Sequence, residues 1–348
     1  MYRTIIIFLL YSVTINALGQ IGGTSSYSFL ELTNSARLAA LGGKNISNPD
    51  KDLNFVYDNP SLLDSSMSKH LVLNYVNYFA GINYGYVSYA RHFDKVGMFA
   101  SGLNYINYGK FIKADETGEI TGQFSAFELA LNIFWSKILI DSTLSVGVNL
   151  KPIYSQLETY NSFGLAVDAG FTYFGKKGLS AAFVIRNLGS QLKPYTEGNY
   201  EQIPLNIQLG LTQKLVHAPF RFSFLYQYLN KWDLRYDKNT NLSYSSGSQS
   251  NVSSDEKPIS LADNFFRHFI FSAEFLPAKS FNVILGYNHQ RRKEMMIPTK
   301  PFLVGFSWGF YISISKIKLS YSQAFYHIAG ASNHFSLNMN MGDIYRKK

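Results

Sequence analysis

The chain has 348 residues, a formal net charge of +9 and no cysteine. It is 46% hydrophobic and 16% aromatic but only 16% charged, with a mean hydropathy of −0.06; a soluble domain carries about 25% charged residues. The missing cysteine excludes a disulfide framework, a Cys-ligated zinc or iron–sulfur site and a thiol nucleophile. The aromatic content excludes a disordered chain, and the neutral hydropathy excludes a helical membrane protein. Length alone predicts roughly two domains of about 150 residues, a rule that large barrels break.

Residues 1–19 hold Arg3, the apolar run Ile5 to Tyr11, and Ala17-Leu18-Gly19 with small residues before Gln20. This is the pattern of a secretory signal peptide, with the apolar run shorter than the ~20 residues a spanning helix needs. The mature chain is expected to begin at Gln20.

Residues 20–69 lack strand alternation. Ser35-Ala36-Arg37-Leu38-Ala39-Ala40-Leu41 reads as a short helix, with Thr33, Asn34 or Ser35 as its cap and Gly42-Gly43 as its stop. Asn48-Pro49-Asp50 and Asp58-Asn59-Pro60-Ser61 are turn signals. A segment of this size ahead of a barrel is expected to fill the lumen as a plug; the alternative is an arm outside it.

From residue 70 to 348 the chain alternates with period two. Leu144, Val146, Val148 and Leu150 oppose Ser145, Gly147, Asn149 and Lys151; Phe163, Leu165, Val167 and Phe171 oppose Gly164, Ala166, Asp168 and Gly170. About fourteen such segments occur, near 70–79, 81–91, 96–109, 123–135, 142–157, 160–173, 178–187, 203–213, 219–229, 265–276, 280–289, 301–313, 316–326 and 333–341. Many reach the 9–11 residues of a tilted transmembrane strand, and aromatic residues gather at their ends as interface girdles do. Every second connection (92–95, 136–141, 174–177, 214–218, 277–279, 313–316) is short, whereas the other set includes the long 110–122, 187–202, 230–264 and 290–300, with 79–81 short where the rule allows longer. That parity is the outer-membrane pattern of short periplasmic turns and longer outer loops. The expected fold is therefore all-β: an antiparallel transmembrane barrel of about fourteen strands with an N-terminal plug. A soluble sandwich or propeller is the competing fold, disfavoured by strand length and by the lack of a 40–50-residue repeat.

Residues 22–63 carry Gly-Gly-Thr-Ser-Ser-Tyr-Ser-Phe-Leu-Glu-Leu, Ser-Ala-Arg-Leu-Ala-Ala-Leu-Gly-Gly and Asp-Leu-Asn-Phe-Val-Tyr-Asp-Asn-Pro-Ser-Leu-Leu. In these stretches the chain resembles the PorV/PorQ family of the type IX secretion system, nearest its PorQ branch; that family is similar to the FadL group of fourteen-stranded outer-membrane transporters. Arg186-Asn187-Leu188-Gly189, Lys193-Pro194-Tyr195 and Ile203-Pro204 resemble a segment recurring in the group. Asn59-Pro60 resembles its hatch motif, with Ser61 where Ala is usual. The resemblance implies a non-enzymatic anchor in the cell-surface attachment complex. Its partners would be a surface protein similar to PorZ, a PorU-like sortase and a PorV-like barrel, and the complex joins exported cargo to anionic lipopolysaccharide. The alternative is a FadL-type transporter of hydrophobic small molecules.

Residues that carry chemistry are few. Ser66-Met67-Ser68-Lys69 and Ser313-Ile314-Ser315-Lys316 match S-x-x-K, but the second lies at a strand end and no Lys-Thr-Gly accompanies either. The seven histidines form no metal-binding pattern, and no cofactor, metal or nucleic acid is expected. Glu128, Asp168, Arg221 and Glu274 fall on polar strand faces. There they would either pair inside the lumen and close it or line a substrate path. Arg291-Arg292-Lys293 lies on a predicted outer loop, suited to lipopolysaccharide phosphates or an acidic partner, or simply to solvent; Lys176-Lys177 and Arg346-Lys347-Lys348 fall at the periplasmic end.

Overall fold

The structure, a computed structural model, describes residues 25–79, 81–139, 143–234, 261–296, 303–327 and 330–342. The expected signal peptide and the basic tail Arg346-Lys347-Lys348 lie outside the described residues. Fourteen strands run β1 (His70–Asn77), β2 (Asn83–Phe93), β3 (Gly97–Ala114), β4 (Ile120–Leu139), β5 (Leu144–Leu157), β6 (Tyr160–Phe174), β7 (Leu179–Lys193), β8 (Asn206–Lys214), β9 (Phe220–Tyr226), β10 (Phe269–Ala278), β11 (Phe281–Asn288), β12 (Phe306–Ile314), β13 (Ile317–His327) and β14 (Gly330–Asn340). Each pairs antiparallel with its sequence neighbours, and β1 closes on β14 with His70 opposite Asn340 and Asn77 opposite Asn333. No described helix is long and apolar enough to cross a membrane; the crossing is made by strands.

The two faces of each strand separate as the alternation requires. On β5, Ser145, Gly147, Asn149 and Lys151 are buried inside while Val148 and Leu150 are exposed outside; on β6, Asp168 and Gly170 point in, and Leu165, Val167 and Phe171 point out. In a soluble protein such an outer belt of Leu, Val and Phe would be an aggregation surface; facing acyl chains it is the stable arrangement. Rings border the belt at both ends. Tyr105, Phe127, Tyr154 and Phe163 follow one another across β3 to β6 at centroid separations of 6.1, 5.9 and 4.9 Å. At the opposite strand ends Phe93 meets Phe99 at 5.7 Å and Phe220 meets Phe275 at 5.2 Å. The barrel thus has a turn end, where the connections are all short, and a loop end, where the long ones fall beside short ones such as β1–β2 and β5–β6.

Four expected loops are more ordered than their composition indicates. The 110–122 loop is mostly strand: β3 and β4 continue past Asn107, through a bulge, to a turn at 115–119. The paired rings of Phe111 and Phe124, 5.1 Å apart, stabilise this projection. Beyond Arg186 the strand β7 continues to Lys193 paired only with β6, because β8 begins at Asn206. Helices α2 (Leu261–Arg267) and α3 (His289–Met295) occupy parts of the other two loops.

Residues 25–69 fill the lumen as a cork. Helix α1 (Ala36–Ala40) starts at Ser35, whose side chain accepts from the Leu38 N–H, and ends where Gly42 and Gly43 take φ of +94° and +112°. It packs against β11 to β14, and a 3-10 turn at Pro60–Leu62 packs against β4 to β6. Leu30, Leu38, Leu41, Ile46, Leu53 and Phe55 are fully buried, each worth about 1.5–3 kcal/mol relative to exposure.

Candidate functional site

The cork meets the wall where the inward face carries glycine. Gly147 on β5 and Gly170 on β6 are register partners. A Cβ at Gly147 would overlap the Pro60 carbonyl, and one at Gly170 would overlap the Asn59 side chain. Across the lumen, a Cβ at Gly286 would overlap the Gly42 backbone. Asn59 Oδ1 caps the turn by accepting from the Ser61 N–H at 2.9 Å, while its Nδ2 donates to the Ile46 carbonyl at 2.6 Å and Thr172 Oγ1 at 2.8 Å. The Ser61 hydroxyl lies 2.7 Å from Asn59 Oδ1 and 2.6 Å from Thr172 Oγ1. The Asn59-Pro60 motif is therefore a docking point between cork and wall.

Two buried ionic clusters complete the attachment. In the first, Arg37 of α1 bonds Asp50 (2.6 Å), Asp52 (3.1 Å) and the wall residue Glu274 (3.2 Å), with its guanidinium over the Phe55 and Tyr311 rings. Arg221 on β9 bonds Glu274 across the strand pair and reaches Asp50 at 2.6 Å. Three carboxylates face two cations here. In the second, Arg186 on β7 bonds Asp58 of the cork at 2.9 Å, Lys151 on β5 bonds Asp168 on β6 at 2.6 Å, and Lys44 bonds Glu31 within the cork. Asn187, at φ +58° in a bulge of β7, ties these pairs together. Its N–H donates to Asp168 (2.7 Å), its Oδ1 accepts from Lys151 (2.7 Å), and its Nδ2 donates to Glu31 (2.9 Å) and the Pro204 carbonyl (3.0 Å).

The expected lumen charges are thus all inward. Asp168, Arg221 and Glu274 are in ion pairs, whereas Glu128 accepts from the Tyr108 hydroxyl at 2.5 Å and has no salt bridge among the described residues. The matching cork charges (Arg37, Asp50, Asp52, Asp58) and the wall charges Lys151 and Arg186 were not singled out by the sequence. Lys151 and Arg186 were detectable, since both stand on the polar side of the alternation; the cork charges were not, since no periodicity orients an irregular segment.

Nearer the loop end the filling changes character. Tyr27, Phe29, Leu30, Val76, Tyr84, Ile106, Ile153 and Ile203 form one apolar cluster, with Tyr78, Tyr108 and Tyr195 half-buried against it. Tyr78 lies 4.8 Å from Phe79, 6.0 Å from Tyr84 and 5.5 Å from Tyr326, ring to ring. This aromatic cluster occupies the loop side of the lumen, the Arg37–Glu274–Arg221 network lies deeper, and the turn side holds an apolar cluster of its own around Leu53, Val56, Met67, Val72, Met98 and Phe134.

The basic trio at 291–293 divides. Arg291 is buried: it stacks on Tyr326 at 4.1 Å and donates to the Gly42 carbonyl at 3.2 Å, so it holds the cork instead of presenting charge outside. Arg292 donates to the Val304 carbonyl at 3.0 Å, and Lys293 bonds Asp263 of α2 at 2.7 Å. The Ser66 and Lys69 pair sits at the turn end beside a 3-10 turn, with Lys69 at φ +64°.

No protein-family model matches the chain, and no curated protein matches it. Among solved structures, the toluene transporter TodX of Pseudomonas putida is similar at 13% identity and a TM-score of 0.49, over 88% of this chain and 96% of its own. The monoaromatic hydrocarbon channel CymD is similar at 11% identity and a TM-score of 0.49, over 89% and 97%. A FadL homologue of Pseudomonas aeruginosa is similar at 10% identity and a TM-score of 0.46, over 88% and 98%. These are likenesses of barrel outline; the fold stands on the strand pairing itself.

Proposed function

We propose that the protein is an integral, non-enzymatic outer-membrane barrel that takes small hydrophobic molecules from the outside, in the manner of a FadL-type transporter. The observation carrying this reading is the aromatic cluster on the loop side of the lumen. An apolar ligand entering at the loop end meets Tyr78, Tyr108, Tyr195 and the cluster beneath them, surfaces that gain about 25 cal/mol per Å2 on covering. Further passage requires the cork to move, because Arg37–Glu274, Asp50–Arg221 and Asp58–Arg186 bridge cork to wall. Uptake of a labelled fatty acid or toluene into liposomes holding the full chain tests this. The expected result is uptake above protein-free liposomes, reduced by Ile106→Asp in the aromatic half. Equal rates with and without the protein would sink the reading.

A second reading is favoured by the same ion pairs, since a cork held this firmly suits an anchor. In it the barrel belongs with the PorV/PorQ family and holds a PorZ-like surface protein beside a PorU-like sortase and a PorV-like barrel. The β3–β4 hairpin, which extends past its neighbouring strands with Phe111, Ile112 and Ile120 exposed, is the part best placed to meet such a partner. Purification from detergent-solubilised outer membrane, with and without residues 109–123 of the hairpin, tests this reading. A stoichiometric surface protein lost with the hairpin supports it, and recovery of the barrel alone refutes it.

A further inference from the structure

Outside the lumen, α2 and α3 form a clasp at the loop end. On its outer side Leu261 is 74% exposed, and Phe265 and Phe266 are exposed beside it. Their rings lie 5.0 and 6.2 Å from Phe269, the first residue of β10. Phe269 faces outward in line with Phe271 at 5.6 Å, which meets Phe224 of β9 at 5.6 Å. The apolar belt of the barrel therefore continues without a break onto α2. Behind those rings Asp263 accepts from Arg267 (3.0 Å) and Lys293 (2.7 Å), with His289 Nε2 at 3.7 Å. Arg267 and Lys293 thus share Asp263 at the rim of the belt, with Glu294 of α3 the other carboxylate that Arg267 faces among the described residues.

We propose that this clasp binds the phosphate headgroup of a lipid in the surrounding outer leaflet. Leu261, Phe265 and Phe266 enter the acyl layer, and Arg267 and Lys293 take the phosphate. Two features select that occupant. The apolar side is continuous with a surface already facing lipid, where aromatic residues settle at headgroup depth. Among the described residues the cations keep donors that no partner engages, since an arginine has five N–H groups and a lysine three, and Asp263 takes only part of them.

This inference rests on the chain being a membrane barrel, and insertion is read separately, as heat-modifiable migration and recovery with phosphatidylcholine liposomes. The full chain in detergent is then titrated with monophosphoryl lipid A, phosphatidylcholine and inorganic phosphate, with bound lipid counted by native mass spectrometry. We expect monophosphoryl lipid A to bind at least tenfold more tightly than phosphatidylcholine, and inorganic phosphate to compete only weakly. Arg267→Gln with Lys293→Gln lowers lipid A affinity about twenty-fivefold, about fivefold for each cation. Phe265→Ser with Phe266→Ser weakens both lipids, and Lys176→Gln with Lys177→Gln, at the turn end, changes neither. Equal affinity for the two lipids, unchanged binding in the Arg267/Lys293 variant, or inorganic phosphate binding as tightly as lipid A would each overturn the proposal. Failure of the unaltered chain to insert would instead overturn the barrel reading.

Discussion

Arg37→Ala is the most direct test of what holds the cork. The side chain is buried and bonds three carboxylates, Asp50, Asp52 and Glu274. After its removal Asp50 and Glu274 still have Arg221. Asp52 keeps Asn54 and Asn338 as donors, each at 3.1 Å, but loses the cation that it pairs with among the described residues. Breaking a buried pair costs about 3–5 kcal/mol, and the remaining Arg221 puts this case near 3. Loss of the guanidinium over Phe55 and Tyr311 adds about 0.5–1 kcal/mol. The sum, about 3–4 kcal/mol, corresponds to a 100- to 1,000-fold shift in the balance of docked and undocked cork. The chain has no cysteine, so Ser47→Cys, a buried cork position, provides one label site. Its maleimide labelling rate reports undocking while heat-modifiable migration confirms an intact barrel. Labelling within about fivefold of the Arg37 parent would refute the reasoning. So would failure of Arg37→Ala/Asp52→Ala to recover part of the loss, since that double variant removes the stranded carboxylate.

Gly170→Val places a branched side chain where Asn59 docks; the expected outcome is a closed barrel with an expelled cork, seen as protease cleavage within residues 25–69 and larger single-channel currents. Asp168→Ala takes the carboxylate from the fully buried Lys151 and lowers stability by about 3–5 kcal/mol in urea titration, whereas Lys151→Met/Asp168→Leu loses less, because both charges leave together and the cost that remains is that of the Asn187 and Asn149 groups left without their partners. At Asn187, φ +58° and the three side-chain hydrogen bonds predict that Asn187→Ala loses about 2–4 kcal/mol in the same titration, and that Asn187→Gly, which adopts this φ without strain, loses less. The carboxyl of Asp263 feels burial, which raises its pKa, but hydrogen bonds from Lys293 and Arg267 hold it below the usual range. A value lower in the folded state makes the clasp's contribution complete above about pH 4 and diminishing as pH falls below that. Emission from Trp232, which packs beside α2, should shift only below pH 4 in a chain with Trp135 and Trp308 replaced by Phe, and a transition centred above pH 5 would contradict the assignment.

The strand count and the sorting of faces were legible because a strand's side chains alternate by covalent geometry. A lipid-facing wall must satisfy that alternation at every turn, so Val148 against Asn149, or Phe171 against Gly170, already names outside and inside. The helix at Ser35 to Leu41 and the turn at Asn59-Pro60 were legible for the same local reason, since caps, glycine stops and proline act within a few residues. What the sequence left open depends on contacts between distant positions. Nothing local pairs Arg186 with Asp58 or Arg37 with Glu274; those partners meet only because the closed wall brings β7 and β10 around an irregular cork. The same closure turned Arg291 inward, toward the Gly42 carbonyl, and put Arg267 and Lys293 on one carboxylate outside. Inward glycines looked like gaps in the alternation. Only the tertiary structure shows them as the places where the backbone of the cork approaches too closely for a Cβ.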